Sequence, residues 1–415
     1  MRYVLLLFFV SVTAFAKAYV EKTPPTLTLL PEDVTVQNYR QLSDTAEISI
    51  ITITQGSSLL DSFGHSAVRV YDPENNIDWV YNYGIYDFSV NNFYLKFAQG
   101  QLLYRLRVYD FPAFLEVYTE EQRAVSAQVL DLTRTERQKV FNYLENNAKE
   151  ANSQYYYDFF YDNCATRPMD VVQNSLGNDL QYTFDHFEAG KTHRDLLHLK
   201  LPWNSWGRFL TDVPLGAVVD KVVDNRAYVF LPSYAENAFA KATLDGQPLV
   251  KETKLIFSPE ELTVYNSFWV TSPLVFFLII GGLLFWITYR DSKNNTRTLW
   301  ADRLVFILTG VAGLILFLLW VATDHQPTKW NYNLLWAFPF NLLAAYGIGK
   351  KVAPRWLHSY MKLLVIMLAL MAFHWIIGVQ IYPYVMIPTF IGLLVRYVYV
   401  LRTLPKPVKG KQRVF

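Results

Sequence analysis

Tyr155-Tyr156-Tyr157-Asp158-Phe159-Phe160-Tyr161-Asp162-Asn163-Cys164-Ala165-Thr166-Arg167-Pro168-Met169-Asp170 decides the reading of this chain, because it holds the only cysteine among 415 residues. Tyr155 to Tyr161 is dense in aromatic residues that favour strands. Ala165 to Leu176 predicts a helix: Asp162 and Asn163 suit its start, and Met169, Val171, Val172 and Leu176 give it an apolar face. A thiol at a strand-to-helix junction lies near the positive end of the helix dipole, which favours thiolate. Free cysteine is also among the most buried residue types and is often inert packing. On this stretch alone both readings stand.

Compartment bears on the choice. The chain opens MRYVLLLFFVSVTAFAKA, with Arg2, an apolar run from Val4 to Val10, and small residues at Ala14, Ala16 and Ala18. That pattern predicts a secretory signal over 1–18, its apolar part too short to span a bilayer comfortably. A lone cysteine in an exported protein has no internal disulfide partner, so its thiol is a reactive candidate. Composition is 52% hydrophobic and 16% aromatic with formal net charge +2, so no strongly basic surface points to nucleic acid.

The apolar content divides the chain near Ser267, predicting an exported domain over 19–268, a transmembrane bundle over 269–403 and a basic tail over 404–415. In the first part, Ala46 to Thr54 predicts a strand apolar on both faces and therefore central. After the turn-rich stretch ending at Gly64, His65 begins a second strand, and Trp79 to Tyr83 forms a third. Thr119-Glu120-Glu121-Gln122 and Thr133-Arg134-Thr135-Glu136 both match a capping box, predicting helices over 120–130 and 134–147. Ala227 to Pro232 and Leu255 to Phe257 read as short strands. By pattern this domain is α+β.

Five apolar runs follow: 273–289, 304–322, 334–348, 363–381 and 385–401, the third interrupted by Pro339 and Asn341. Lysine and arginine gather in the loops between the first and second, the third and fourth, and after the fifth. The positive-inside rule then places those loops and the C-terminus in the cytoplasm and the N-terminal domain outside. The outer loop holding Asp324, His325, Asn331 and Asn333 has two readings: an ordinary polar connection flanked by interfacial tryptophans, or a group of phosphate-binding and site-closing residues. His374, inside the fourth run, reads as a bundle histidine rather than a ligand.

A cysteine nucleophile needs a base, and imidazole titrates in the useful range. His65 is the candidate, with His186, His193 and His198 competing. The chain has no HExxH, no CxxC, no GxSxG and no glycine-rich phosphate loop, so neither a metal nor a cofactor is expected.

The phrases SFGHSAVRVYD, VYNYGIYDF, YYDFFYDNCATRP and DHQPTKWNYNLLW resemble the bacterial lipoprotein N-acyltransferases of the Lnb type, over essentially the whole mature chain. The order histidine before cysteine is also similar to the circularly permuted papain-like arrangement of lecithin:retinol acyltransferase-like enzymes. The resemblance implies a permuted papain-like α+β domain before an all-α bundle of about five transmembrane helices in the inner membrane. It implies a reaction moving an acyl chain from membrane phospholipid to the α-amino group of a diacylated lipoprotein. Carried over, Cys164 is the nucleophile and His65 the base. Asn82 is the best candidate for the third residue, ahead of Asp87 and Asp61. Asn163 and the backbone N–H of Cys164 are candidates to meet an oxyanion. Arg167 is either a lipid-phosphate contact or a solvated arginine. The rival readings are a periplasmic cysteine peptidase or amidase and a non-catalytic membrane scaffold.

Overall fold

The computed structural model describes residues 40–59, 61–88, 90–260, 269–350 and 353–404. The expected signal stretch 1–18 and the tail from 405 lie outside the described residues. The chain forms two units: residues up to 87, 103–186 and 226–260 belong to the first, and 88–102, 187–225 and the residues from 269 to the second.

Seven strands make the sheet of the first unit: β1 (Glu47–Ile53), β2 (His65–Asp72), β3 (Ile77–Ile85), β4 (Leu103–Asp110), β5 (Val125–Leu130), β6 (Gln154–Tyr156) and β7 (Val250–Phe257). Their order is β7-β5-β1-β2-β3-β4-β6, every neighbouring pair antiparallel. β1 lies inside the sheet with six of its seven residues buried, as its two-faced apolar pattern predicts. Four helices accompany the sheet: α1 (Phe111–Glu120), α2 (Arg134–Ala148), α3 (Thr166–Leu176) and α4 (Pro232–Lys241). On one face Ile51, Ile53, Ala67, Val80, Val125 and Ala127 pack with Phe111 and Phe114 of α1. Each such side chain contributes about 1.5–3 kcal/mol by leaving water. On the other face Ser126 and Gln128 bond Glu236 of α4, and Tyr81 donates to Glu145 of α2.

Three local expectations fail for identifiable reasons. The helix expected over 120–130 is instead the end of α1 followed by β5. Val125, Ala127 and Val129 alternate with Ser126 and Gln128, and sheet pairing with β1 and β7 outweighs the capping signal at Thr119. The second capping box is real, with Thr133 and Glu136 satisfying each other's backbone donors at the start of α2. Residues 227–232 are a 3₁₀ turn, Asn225–Phe230, leading into α4. The aromatic strand stops at Tyr156. Asp158 and Asp162 then exchange two backbone hydrogen bonds, and the Asp158 carboxylate takes the N–H groups of Phe160 and Tyr161, so the backbone turns rather than pairing.

In the second unit, helices α5 (Pro273–Asn294), α6 (Leu299–Val321), α8 (Arg355–Ile376) and α9 (Ile387–Thr403) follow one another, with α7 (Asn341–Ile348) between α6 and α8. Four of the five segments are long and apolar enough to cross a membrane. α7 has eight residues, about 12 Å of helix, short of a bilayer core. The third pass nevertheless joins opposite ends of the bundle: Tyr332 N–H meets Gln380 beyond α8, and the Ile348 carbonyl accepts from Arg297 in the α5–α6 connection. Asn341, beside the Pro339 interruption, bonds Thr309 and Tyr360 and so keeps its amide paired inside the apolar bundle.

Close helix approach depends on small residues. A Cβ on Gly281 would sit 2.4 Å from the Pro388 carbonyl oxygen, and one on Gly392 3.1 Å from the Gly281 oxygen. Near the other end of these helices Arg396 bridges Asp291 and Asp302 at 2.8 and 2.6 Å, tying α9 to α5 and α6. The 187–225 segment, loop-like in sequence, is organised around Arg194, which is fully buried and paired with Asp212 and Asp220.

Candidate active site

Cys164 sits just before α3, and Asn163 builds that helix start. Its Oδ1 accepts from the N–H groups of Ala165 and Thr166, while Thr166 Oγ1 accepts from Asn163 N–H. Its Nδ2 donates to the Phe159 and Phe230 carbonyls, both at 2.8 Å. All of the Asn163 side chain is therefore used in shaping the backbone around the cysteine. Its amide has no donor left for an oxyanion.

β2 supplies His65. Gly64 before it has φ +83°, and a Cβ there would lie 2.7 Å from the Ile53 carbonyl oxygen, so only glycine makes this turn onto the strand. Val68 pairs with Tyr81 across β2 and β3. Continuing that register sets Asn82 on the face of Ala67 and His65, as a diagonal neighbour of the histidine. The β3–β4 ladder is irregular between Asn82 and Ile85, where Gly84 has φ +93°. A Cβ at Gly84 would lie 3.4 Å from the Tyr157 ring and 3.8 Å from Cys164 Cβ, so the bare backbone leaves room for the thiol.

These elements bring Cys164, His65 and Asn82 together. His65 Nε2 donates to Asn82 Oδ1 at 2.6 Å, leaving Nδ1 as the ring nitrogen for the sulfur, and imidazole and thiol interact closely enough to shift each other's titration. Burial by itself pushes the thiol up. The imidazole charge, its hydrogen bond, the Ser66 N–H and the Tyr157 hydroxyl outweigh burial and hold Cys164 below the ordinary thiol range. Burial likewise lowers His65, but the facing thiolate and the bonds to Cys164 and Asn82 raise it above its usual value. Thiolate and imidazolium each favour the charged form of the other.

Cys164 is 9% exposed, and it opens on a cavity of about 180 Å³ that His65, Tyr118, Arg123, Tyr157 and Phe159 also line. Three of these neighbours carried no sequence signal. Tyr157 stacks on Tyr104 with ring centroids 4.5 Å apart. Burial and the nearby thiolate keep its phenol protonated, well above the ordinary range. Tyr118 stacks on His65 at 6.4 Å. Arg123 is held by the Thr54 carbonyl, Glu121 and Asp61.

The other candidates stand elsewhere. Asp61 lines the cavity but pairs with Ser58 and Arg123 rather than His65. Arg167 is ion-paired with Asp162 and lies 4.0 Å over the Tyr155 ring, so its charge is already matched. In the second unit, Asp324 accepts from Gln101 and His325 Nε2 donates to the Phe97 carbonyl. Asn331 and Asn333 are fully buried, donating to the carbonyls of Val213 and Pro214 and of Val213 and Asp212 respectively. His198 has both ring nitrogens engaged, by Asp212 and Arg208 at 2.7 Å each. His374 packs its ring on Tyr332 at 4.8 Å. No cluster of His, Cys, Asp and Glu among the described residues is arranged to hold a metal.

Two family models match the chain: Lnb N-terminal periplasmic domain over residues 35–199, and Lnb transmembrane domain over residues 265–406. Neither the curated proteins nor the solved structures provide a match. With both parts matched and a sheet domain preceding a helical membrane bundle, the chain belongs to the Lnb family, as a lipoprotein-modifying enzyme of the inner membrane whose N-terminal domain is periplasmic.

Proposed function

We propose that the protein transfers an acyl chain from a membrane phospholipid, through a thioester on Cys164, to the α-amino group of an N-terminal diacylglyceryl-cysteine. The observation that carries this reading is Cys164 and His65 lining one cavity and bearing on each other's charge, with His65 held by Asn82. The thiolate attacks the ester carbonyl. The tetrahedral intermediate expels the lysophospholipid alkoxide, which takes its proton from the His65 imidazolium. The lipoprotein amine then attacks the thioester, His65 accepts its proton, and the thiolate leaves. Asn82 orients the ring throughout. The protonated phenol of Tyr157, lining the same cavity as the sulfur, can donate to the oxyanion, alongside the N–H of Cys164. The aromatic wall suits an acyl chain, and excluding water favours aminolysis over hydrolysis. Basic inner loops support a cytoplasmic C-terminus.

The test supplies a fluorescent phospholipid and a diacylated lipopeptide to the full-length protein in nanodiscs, comparing it with Cys164→Ala and His65→Ala. Acyl transfer by the parent, abolished in Cys164→Ala and strongly reduced in His65→Ala, supports the reading. Omitting the amine should leave an acyl-chain mass on Cys164. Absence of transfer in the parent, or transfer that survives Cys164→Ala, overturns it.

A further inference from the structure

We propose that the segments 88–102 and 187–225, both parts of the second unit, form an apolar collar seated in the phospholipid of the periplasmic leaflet.

Their height is fixed by the spans. Asp324 N–H donates to the Gln99 carbonyl at 2.8 Å, Gln101 donates to Asp324 at 2.8 Å, and His325 Nε2 donates to the Phe97 carbonyl at 2.9 Å. These contacts hold the helix Phe93–Gln99 against residues immediately after α6, which ends at Val321. The second segment meets the same end of the bundle, at the loop after α6 and at the start of α5. Leu274 N–H, at the start of α5, donates to Asn204. Trp206 donates to the Thr271 carbonyl and packs on Phe276 at 5.5 Å. Both segments thus sit where apolar spans give way to headgroups.

Their outward side chains are the wrong kind for water. Tyr94, Leu95 and Phe97 are 63, 56 and 51% exposed, and Trp203 and Leu210 are 57 and 52% exposed. Only Phe93 of the short helix turns inward, stacking on Phe97. Continuity with the lipid-facing spans names the occupant. Tyrosine, tryptophan and phenylalanine at this height are the residues that settle at the bilayer interface. Lys96, between Leu95 and Phe97, supplies the charge that anionic headgroups attract. A helix lying this way buries its apolar side about 5–10 Å into the headgroup and acyl boundary. The segment 88–102 joins β3, which carries Asn82, to β4, so the site's own sheet is interrupted to reach lipid.

The experiment needs no acyl transfer and so stands apart from the function proposed above. In the Cys164→Ala background, Leu95→Cys, Phe97→Cys and Trp203→Cys are labelled with NBD, and the full-length chain is placed in phosphatidylcholine nanodiscs carrying nitroxides near the headgroup or deep in the chains. Ile279→Cys on the exposed face of α5 marks the membrane interior, and Asn75→Cys in the first unit marks water. Labels at 95, 97 and 203 should shift to shorter wavelength and lose emission more to the shallow nitroxide than to the deep one, with the opposite order at 279. Three separate positions keep the test decisive if one variant fails to fold. Labels at all the folded positions that emit and resist quenching like that at 75 would overturn the proposal. That result would also point to a protein partner or bare water as the collar's neighbour.

Discussion

The side chains around Cys164 and those of the loop from Asp324 to Asn333 spend their hydrogen bonds differently. In the loop, Asn331 and Asn333 are fully buried and give both amide protons to backbone carbonyls, while their oxygens accept from Asn333 N–H and Trp336. Neither asparagine has an amide proton left for a substrate. Around Cys164, the titratable groups bear chiefly on one another: the imidazole bonds the Asn82 amide, and imidazole and phenol both favour the thiolate. They also line empty space. A polar group satisfied by carbonyls serves the fold, whereas titratable groups bonded to each other beside a cavity can change protonation and react. Even within one turn of chain the contrast holds, since Asn163 is structural and Cys164 beside it faces the cavity.

The most severe way to break the comparison is Cys164→Ala. Removing a nucleophile should cost about 10⁴-fold or more in acyl-transfer rate. The thermal midpoint should hardly move, because a small buried side chain is replaced by a slightly smaller one. A variant that keeps its activity would make the cysteine packing after all.

His65→Ala comes next, with an expected loss of about 10²–10⁴-fold, and it sharpens the comparison through pH. The thiol of Cys164 is lowered, so thiolate is present above that lowered value and is lost as pH falls through it. His65 is raised, so the imidazolium persists above its ordinary value and is lost as pH rises through the raised one. Each charged form thus extends the pH range of the other. The rise of iodoacetamide alkylation of Cys164 with pH should therefore lie below the usual thiol value of about 8.5, and His65→Ala should move that rise to higher pH. An unchanged profile in the variant would separate the two residues electrostatically. Asn82→Ala removes one hydrogen bond to a ring that becomes charged, worth about 1.5–3 kcal/mol, or roughly 10- to 100-fold in rate.

How much of this was legible depended on whether a residue's job is local. β1, the strand start at His65, the start of α3 and the second capping box are written in neighbouring residues, and each forms where its pattern places it. The same logic misled at Thr119, where a local capping signal yields to strand pairing across β1 and β7. Asn82 was within reach because it lies on the strand after His65. Tyr157 and Tyr118 were not, since an aromatic residue that lines a cavity beside a sulfur or stacks on an imidazole looks no different in sequence from one filling a core. The segments 88–102 and 187–225 were illegible for a related reason. Their partners are residues 271–277 and 324–333, so only the tertiary fold reveals what they join.

The mildest variant tests the other side of the comparison. Asn331→Ala takes from the Pro214 carbonyl the Asn331 donor and from the Val213 carbonyl one of two, the other being Asn333, inside a fully buried site. It also removes the oxygen that receives Asn333 N–H. Unmet buried acceptors cost about 1–3 kcal/mol, so thermal unfolding in nanodiscs should shift downward by a few degrees. Because no atom of Asn331 is free to touch lipid, KM for phospholipid and kcat should match the parent at temperatures where both are folded. The opposite pattern, an unchanged melting profile with a raised KM, would move Asn331 from the scaffold to the substrate, and it would show that satisfied amides in this loop exchange their carbonyl partners for a headgroup during turnover.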